Sequence, residues 1–340
     1  MRKLLNTLYI TTPDAYLSKD GMNVVVSVKS QEIFRIPIIN IEGIVSFGYM
    51  GASPGLMKLC TDNNVSLTFL SPNGRFICRI QGQTKGNVLL RKKQYKLSEQ
   101  EDWALHVAQI MIAGKIQNQR SVLRRFIRDY GNNQQVEEAA NALDNFKRNT
   151  RLSTDKLSLM GIEGMAANKY FEVFPSLLTQ QIDQFPFGGR SRRPPKDAVN
   201  AMLSLAYTLL TNDITAALET VGLDPYVGFL HTLRPGRASL ALDMAEELRA
   251  YMGDRFVLSL INRRQISPSD FFYQGEQGVT LTDDGRRTFL TAWQTRKKET
   301  IIHPYLNEKI SVGLIPHTQA MLIARFIRGE VDDYPVFLIK

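Results

Sequence analysis

Two hydrophobic periods divide the chain. Up to about residue 97, apolar residues rich in Val and Ile come in runs of four to seven, separated by turn residues. Runs of this length predict strands over 4–10, 23–28, 33–37, 43–47, 66–70 and 76–80. Asp20-Gly21 and Asn73-Gly74 have hairpin-turn chemistry. Ser53-Pro54 offers an N-cap and a first-turn proline for one helix over 55–63. After residue 97 the spacing becomes helical, over 103–129, 135–149, 158–174, 196–221, 238–251, 282–295 and 315–328. Ser98 with Glu101 three residues on fits a capping box for the first of these. The expected fold class is α+β: a β-rich N-terminal domain over 1–86, a basic linker over 87–97 and a larger all-α domain over 98–340.

Composition adds a charge asymmetry. The chain has 340 residues and a net charge of +9. Residues 1–97 hold 13 Lys and Arg against 5 Asp and Glu, and the remainder 29 against 28. A basic segment of this kind fits either a polyanionic partner, nucleic acid foremost, or a basic surface kept for solubility. Cys60 and Cys78 have no CxxC neighbour, so they read as buried thiols in a reducing compartment. The N-terminal apolar stretch is short and broken by Asn6 and Thr7, unlike a signal peptide. No run of 18 apolar residues occurs, so no membrane partner is expected and the location expected is cytoplasmic.

Three segments of the helical region carry candidate chemistry. In Gly161-Ile162-Glu163-Gly164 a glutamate sits between two glycines, which leave space around it near a helix start. The plainer reading is a first-turn acid facing the helix dipole. In Gly228-Phe229-Leu230-His231 a histidine ends an apolar stretch and enters a basic loop, as a ligand or as a structural residue. In Ser239–Glu247, Asp243, Glu246 and Glu247 fall at i, i+3 and i+4 on one helix face. Like charges so placed repel, and a cation between them would relieve the strain. The alternative is a solvated acidic face balanced by Arg249 and Arg255. Carboxylates and an imidazole from separate helices suit Mg²⁺ or Mn²⁺. Such an ion activates a hydroxyl or water and neutralises phosphate charge. His106, His303 and His317 lack acids at ligand spacing and read as structural.

At these residues the sequence resembles the CRISPR adaptation integrase-endonuclease family, Cas1. The matching pieces are Gly161–Gly164 with Ala167 and Tyr170-Phe171; Arg193-Pro194-Pro195-Lys196-Asp197 with Asn200; Gly228–His231; and Ser239–Glu247. The β-rich N-terminus and Lys115 with Asn118-Gln119 fit as well. The run from Asp243 to Arg249 is most like the subtype I-C variety. The resemblance implies that Glu163, His231 and Glu246 are catalytic and hold the divalent metal, with Asp243 as a neighbouring acid. It implies nuclease action and spacer integration, in which a DNA 3′-hydroxyl attacks a phosphodiester of the CRISPR repeat. It implies a homodimer, a small Cas2 partner protein, and double-stranded DNA as prespacer and repeat. Some members carry a tyrosine shortly after the Gly-Arg-Arg stretch; here Gly189-Arg190-Ser191-Arg192-Arg193-Pro194 has none.

The candidate phosphate contacts are Arg190, Arg192 and Arg193, Arg234 and Arg237 in the histidine loop, and Arg75, Arg91, Lys92 and Lys93 in the basic run from Arg75 to Lys96. Arg120, Arg124 and Arg128 form a stripe that is either phosphate-facing or solvated. The rival reading from another class is a non-catalytic DNA-binding scaffold; a third is a general metal nuclease that does not integrate.

Overall fold

A computed structural model describes residues 6–12, 14–72, 74–82 and 88–339. The N-terminal region holds two sheets. One has strand order β1 (Thr7–Ile10), β5 (Gly43–Phe47), β6 (Ser66–Leu70), β7 (Phe76–Ile80); its first three strands run parallel and β7 antiparallel. The other is an antiparallel meander of β2 (Ala15–Asp20), β3 (Asn23–Val28) and β4 (Gln31–Pro37). Parallel neighbours need a crossover, and helix α1 (Pro54–Asp62) supplies it between β5 and β6. Ser53 caps α1 by accepting from the Leu56 N–H at 3.2 Å, as the Ser-Pro pair predicts. β2 was not expected, since its sequence AYLSKD has only three apolar positions. Leu4, Leu5, Asn73 and Lys85 lie outside the described residues.

β5 is buried throughout because both its faces are covered. Ile44, Leu67 and Phe69 point into a small core shared with Leu17, Val24, Val26 and Leu56. Val45, Phe47 and Leu70 point the other way, into the large helical core. Cys60 is buried as expected, and burial pushes its thiol up to about 12. Cys78 is exposed instead, because β7 is a sheet edge with an open outer face.

The helical region contains α2 (Val88–Ser98), α3 (Glu101–Tyr130), α4 (Gln134–Thr150), α5 (Lys156–Glu172), α6 (Ala198–Val221), α7 (Ser239–Leu248), α8 (Arg255–Asn262), α9 (Asp283–Lys298) and α10 (Ile315–Arg328). Two short ribbons, β8–β9 (Phe271–Tyr273, Val279–Leu281) and β10–β11 (Thr300–Ile302, Lys309–Ser311), edge it. The basic stretch expected as a linker is itself helical in α2. Gln94 on α2 is buried, donating to the carbonyls of Asp224 and Val227 at 2.8 Å each. The capping box at Ser98 does not form. Ser98 closes α2, its hydroxyl bonding the Tyr95 carbonyl at 2.7 Å, and α3 begins after Gln100 without a side-chain cap. The helix expected to end at residue 251 instead passes through a π-helical turn, Arg249–Asp254, into α8.

Candidate active site

Four elements meet where α3 crosses α5 and α7. Glu163 lies two turns into α5, whose N-terminus is capped by Asp155 accepting from the Ser158 N–H at 2.8 Å. It is therefore not a first-turn acid at the helix dipole. A methyl group added at Gly161 or Gly164 would meet nothing within 4 Å, so the glycines do leave the space around Glu163 open.

The histidine loop is built on Asp243. This fully buried carboxylate accepts from the backbone N–H groups of Phe229 (2.6 Å), Leu230 (3.0 Å) and His231 (3.0 Å), and from the His231 ring at Nδ1 (2.6 Å). Gly228 is needed for this approach. A Cβ there would overlap Asp243 Oδ2 and lie 2.8 Å from the Leu240 nitrogen. With Nδ1 committed to Asp243, His231 keeps its Nε2 lone pair for the site, 4.0 Å from Glu246 Oε1.

The three acids of α7 are buried rather than solvated, and they do not converge on one point. Asp243 faces the histidine loop. Glu246 faces α3, where its Oε2 lies 2.6 Å from the Lys115 ammonium and its Oε1 accepts from Arg249 at 2.5 Å. Glu247 faces the C-terminal segment, accepting from the Tyr334 hydroxyl, from the Phe337 N–H at 2.5 Å and from Gln319 at 3.2 Å. Their repulsion is relieved by three separate partner sets instead of one shared cation. The neighbouring carboxyls diverge accordingly. Burial raises both, but Arg249 and Lys115 outweigh it at Glu246 and hold that group at about 2. Glu247 has no cationic partner, and burial pushes it up to about 7 against its hydrogen-bond donors.

Lys115 ties the site together. It is buried on α3 and its ammonium contacts both Glu163 and Glu246. The structure thus brings Glu163, His231 and Glu246 together, with Asp243 behind the histidine. Among the described residues, no three His, Cys, Asp or Glu side chains already form an ion-holding cluster, and an ammonium sits between the two carboxylates. The donor set nevertheless suits a hard divalent cation. It comprises two carboxylates and one imidazole nitrogen, the histidine oriented from behind by an acid. Glu246 Oε2 makes no well-directed hydrogen bond despite its burial.

Beside this centre, the Tyr207 ring is flanked by Arg190 at 5.2 Å and Arg249 at 5.1 Å. Its hydroxyl donates to Asp254, which burial pushes up to about 6. Sequence reasoning named Lys115 only as part of the family match and Arg249 only as a balance for a solvated acidic face, and gave no role to Tyr207 or Asp254. The available signal was a lysine, Lys115, on the same apolar stretch of α3 as Met111, Ile112 and Ile116.

The basic candidates separate. Arg190 is committed to Asn200 Oδ1 (2.5 Å), the Ser191 carbonyl (2.8 Å) and Tyr207. Asn200 also bonds the Gly189 carbonyl and the Ser191 N–H, so it shapes the loop that displays Arg192 and Arg193, both exposed. Arg234 is exposed and Arg237 half-buried in the loop that follows His231; Lys92 and Lys93 are exposed and Arg91 half-buried on α2. Arg75 is exposed next to Gly74, whose turn rests on Leu205 of α6. The stripe on α3 is ion-paired at all three of its positions, Arg128 with Asp129 at 3.0 Å. Arg120 pairs with Asp144 (3.6 Å) and Arg124 with Glu137 (3.3 Å), both on α4.

The fold and this cluster define a helical, acid- and histidine-centred protein carrying an N-terminal β lobe. A family model described as CRISPR associated protein Cas1 matches residues 8–295, and the chain belongs to that family. It is 49% identical to CRISPR-associated endonuclease Cas1 1 of Chlorobaculum tepidum, over 99% of both chains. It is 46% identical to CRISPR-associated endonuclease Cas1 2 of Rhodospirillum rubrum, over all of both chains. A CAS1 protein of Thermotoga maritima superposes with a TM-score of 0.83 at 23% identity, covering 98% of this chain and 100% of that one. A casposase bound to integration product gives 0.82 at 22% identity, covering 96% and 92%. These two show the shared fold.

Proposed function

We propose that this chain is a divalent-cation-dependent DNA endonuclease and integrase of CRISPR spacer acquisition. The supporting observation is that, in a Cas1-family chain, Glu163 and Glu246 share one ammonium and His231 Nε2 lies 4.0 Å from Glu246. Glu163, His231 and Glu246 would hold Mg²⁺ or Mn²⁺, which lowers the pKa of an attacking hydroxyl or water and neutralises phosphate charge. In integration the 3′-oxygen of the incoming strand forms a new bond to phosphorus at the repeat. The repeat's own P–O bond breaks, the attacking hydroxyl loses its proton, and the leaving oxygen takes one up. Asp243 fixes the ring of His231 so that Nε2 is the nitrogen left to hold the ion. Arg192, Arg193, Arg234 and Arg237 pair with nearby phosphates, while Arg75, Arg91, Lys92 and Lys93 take the flanking duplex without reading sequence. The relatives named as endonucleases support the hydrolytic activity. A solved Cas6-RT-Cas1–Cas2 complex contains a chain of this fold and supports assembly with a Cas2 partner; the homodimer rests on the family resemblance alone. The run from Asp243 to Arg249 supports placement with the subtype I-C variety.

The test is strand transfer of a labelled short duplex into a plasmid carrying leader and repeat, with Cas2 and Mg²⁺ or Mn²⁺. Glu163→Ala, His231→Ala and Glu246→Ala are each expected to abolish product while circular dichroism stays unchanged. Full activity of clean Glu163→Ala protein removes the assignment. Cleavage without joining leaves a general nuclease, and binding without either reaction leaves a scaffold.

A further inference from the structure

Lys115 is an unusual occupant of a cation site. Its side chain is 8% exposed and sits mid-helix beside Gly114. A buried ammonium is unfavourable without partners, and this one has two, Glu163 and Glu246, the first and third of the proposed metal ligands. Arg249 also binds Glu246. With Asp243 counted behind the histidine, the centre holds two cationic and three anionic side chains as it stands. Adding a divalent ion while Lys115 stays in place would turn that into an excess of one positive charge and set the ion against the ammonium at the same two carboxylates, which Coulomb repulsion at such short range opposes strongly.

We propose that Lys115 is a resident counterion, occupying the position between Glu163 and Glu246 until a divalent cation displaces its ammonium. The inference rests on the metal-binding reading above. Metal loading is then an exchange of one cation for another. The metal-free protein keeps its two carboxylates paired and stays folded, and its affinity for the ion is lowered by the competition. The displaced ammonium has somewhere to go. Glu163 is 27% exposed, and the surface at Gly161 and Gly164 is open. Lysine carries its charge on a flexible four-carbon stem, so it can swing without moving the helix.

Two measurements on the full-length protein test this. The first needs no variant: reductive methylation of lysines, read by mass spectrometry, with and without Mg²⁺. Lys115 is expected to be protected in metal-free protein and to become several-fold more reactive at saturating Mg²⁺. The second compares Mn²⁺ binding, by the loss of the free-ion paramagnetic resonance signal, in wild type and Lys115→Met. The variant is expected to bind at least ~10-fold tighter, because a competing positive charge next to two ligands is gone. Its metal-free melting temperature should fall, and Mn²⁺ should raise it by more than in wild type. Wild-type protein that binds Mn²⁺ with no change in Lys115 reactivity, or a folded variant that binds Mn²⁺ no more tightly than wild type, overturns the exchange while leaving the metal site standing. Wild-type protein that binds no Mn²⁺ overturns the metal reading and the exchange with it.

Discussion

Asp243 accepts three backbone N–H groups and one ring nitrogen from the histidine loop while fully buried. Alanine at this position strands three buried donors, each leaving a penalty of about 1–3 kcal/mol. Asp243→Ala is therefore expected to lower unfolding stability in urea by about 3 kcal/mol or more. His231→Ala removes a ring that is partly exposed and is expected to lower it by less than about 1.5 kcal/mol. Equal losses for the two would show that Asp243 does not anchor the loop. Asp254 gives a second residue-scale expectation. Its Oδ1 accepts from Tyr207, its Oδ2 makes no well-directed hydrogen bond, and burial pushes it from 3.8 to about 6. A carboxyl raised on folding contributes stability that is fully present below its unfolded pKa and is lost as pH rises through its folded value. Wild type should thus lose on the order of 3 kcal/mol between pH 4 and pH 8 that Asp254→Asn does not lose. Parallel pH profiles of unfolding free energy for the two proteins would contradict it.

At the scale of elements, the C-terminal segment holds α3 against α7. Asn118 on α3 donates to the Glu247 and Phe337 carbonyls at 2.7 Å each and accepts from the Ile339 N–H at 2.9 Å. The segment fits because Gly114 has no side chain; a Cβ there would overlap Val336 Cγ2. Gly114→Ala should lower the unfolding free energy by about 1–3 kcal/mol through overpacking. It should also speed amide exchange over residues 334–339 ahead of that in α4; uniform exchange across the molecule would argue against a local displacement. This contact also shows what periodicity could and could not convey. Helices with a clean apolar stripe, such as α4 and α10, lay within one residue of their expected ends. The π turn at Arg249–Asp254 was hidden, because one extra residue in a turn shifts the apolar phase instead of breaking it. Glu163, His231 and Glu246 were singled out through motif order, since each alone fits a structural role at least as well. Lys115 lies 48 residues from Glu163 and 131 from Glu246 in sequence, and no spacing rule joins residues so far apart. Its pairing is a product of helix crossing, as are the separate partners of Asp243, Glu246 and Glu247.

For the molecule as a whole, the question is what fixes the β lobe to the helical region. A cleft of about 1090 Å³ runs between them, away from the acid–histidine centre, lined by Arg79, Asp213, Glu219 and Lys297 among others. Two ion pairs line it: Arg79 on β7 with Glu219 on α6 at 2.5 Å, and Lys297 on α9 with Asp213 on α6 at 3.0 Å, the second within the helical side of the cleft. Only the first joins the lobes. Arg79 and Glu219 are 10% and 23% exposed, so their attraction is screened less than that of a surface pair. Burial raises Glu219 above its ordinary value, and Arg79 is the main influence pulling it back. Removing the arginine leaves a half-buried carboxylate without a cation and raises its pKa further. Because the folded-state pKa is then higher still, the penalty is absent below pH 4.5, where the carboxyl is protonated in both states, and grows as pH rises. Arg79→Ala is expected to lower the unfolding free energy by about 1–3 kcal/mol at pH 8 and by much less at pH 4.5. Glu219→Gln should suppress most of that difference, giving a coupling in the double-mutant cycle of about 1–2 kcal/mol at pH 8. The arginine and glutamate sit in different lobes, so the loss should appear first as earlier unfolding of the β lobe, read from hydrogen exchange in β5 and β6. A coupling near zero at pH 8 would mean that the remaining contacts hold the lobes together without this pair: Val45, Phe47 and Leu70 with the helical core, and Gln294 on α9 donating to the Thr7 carbonyl at 3.0 Å.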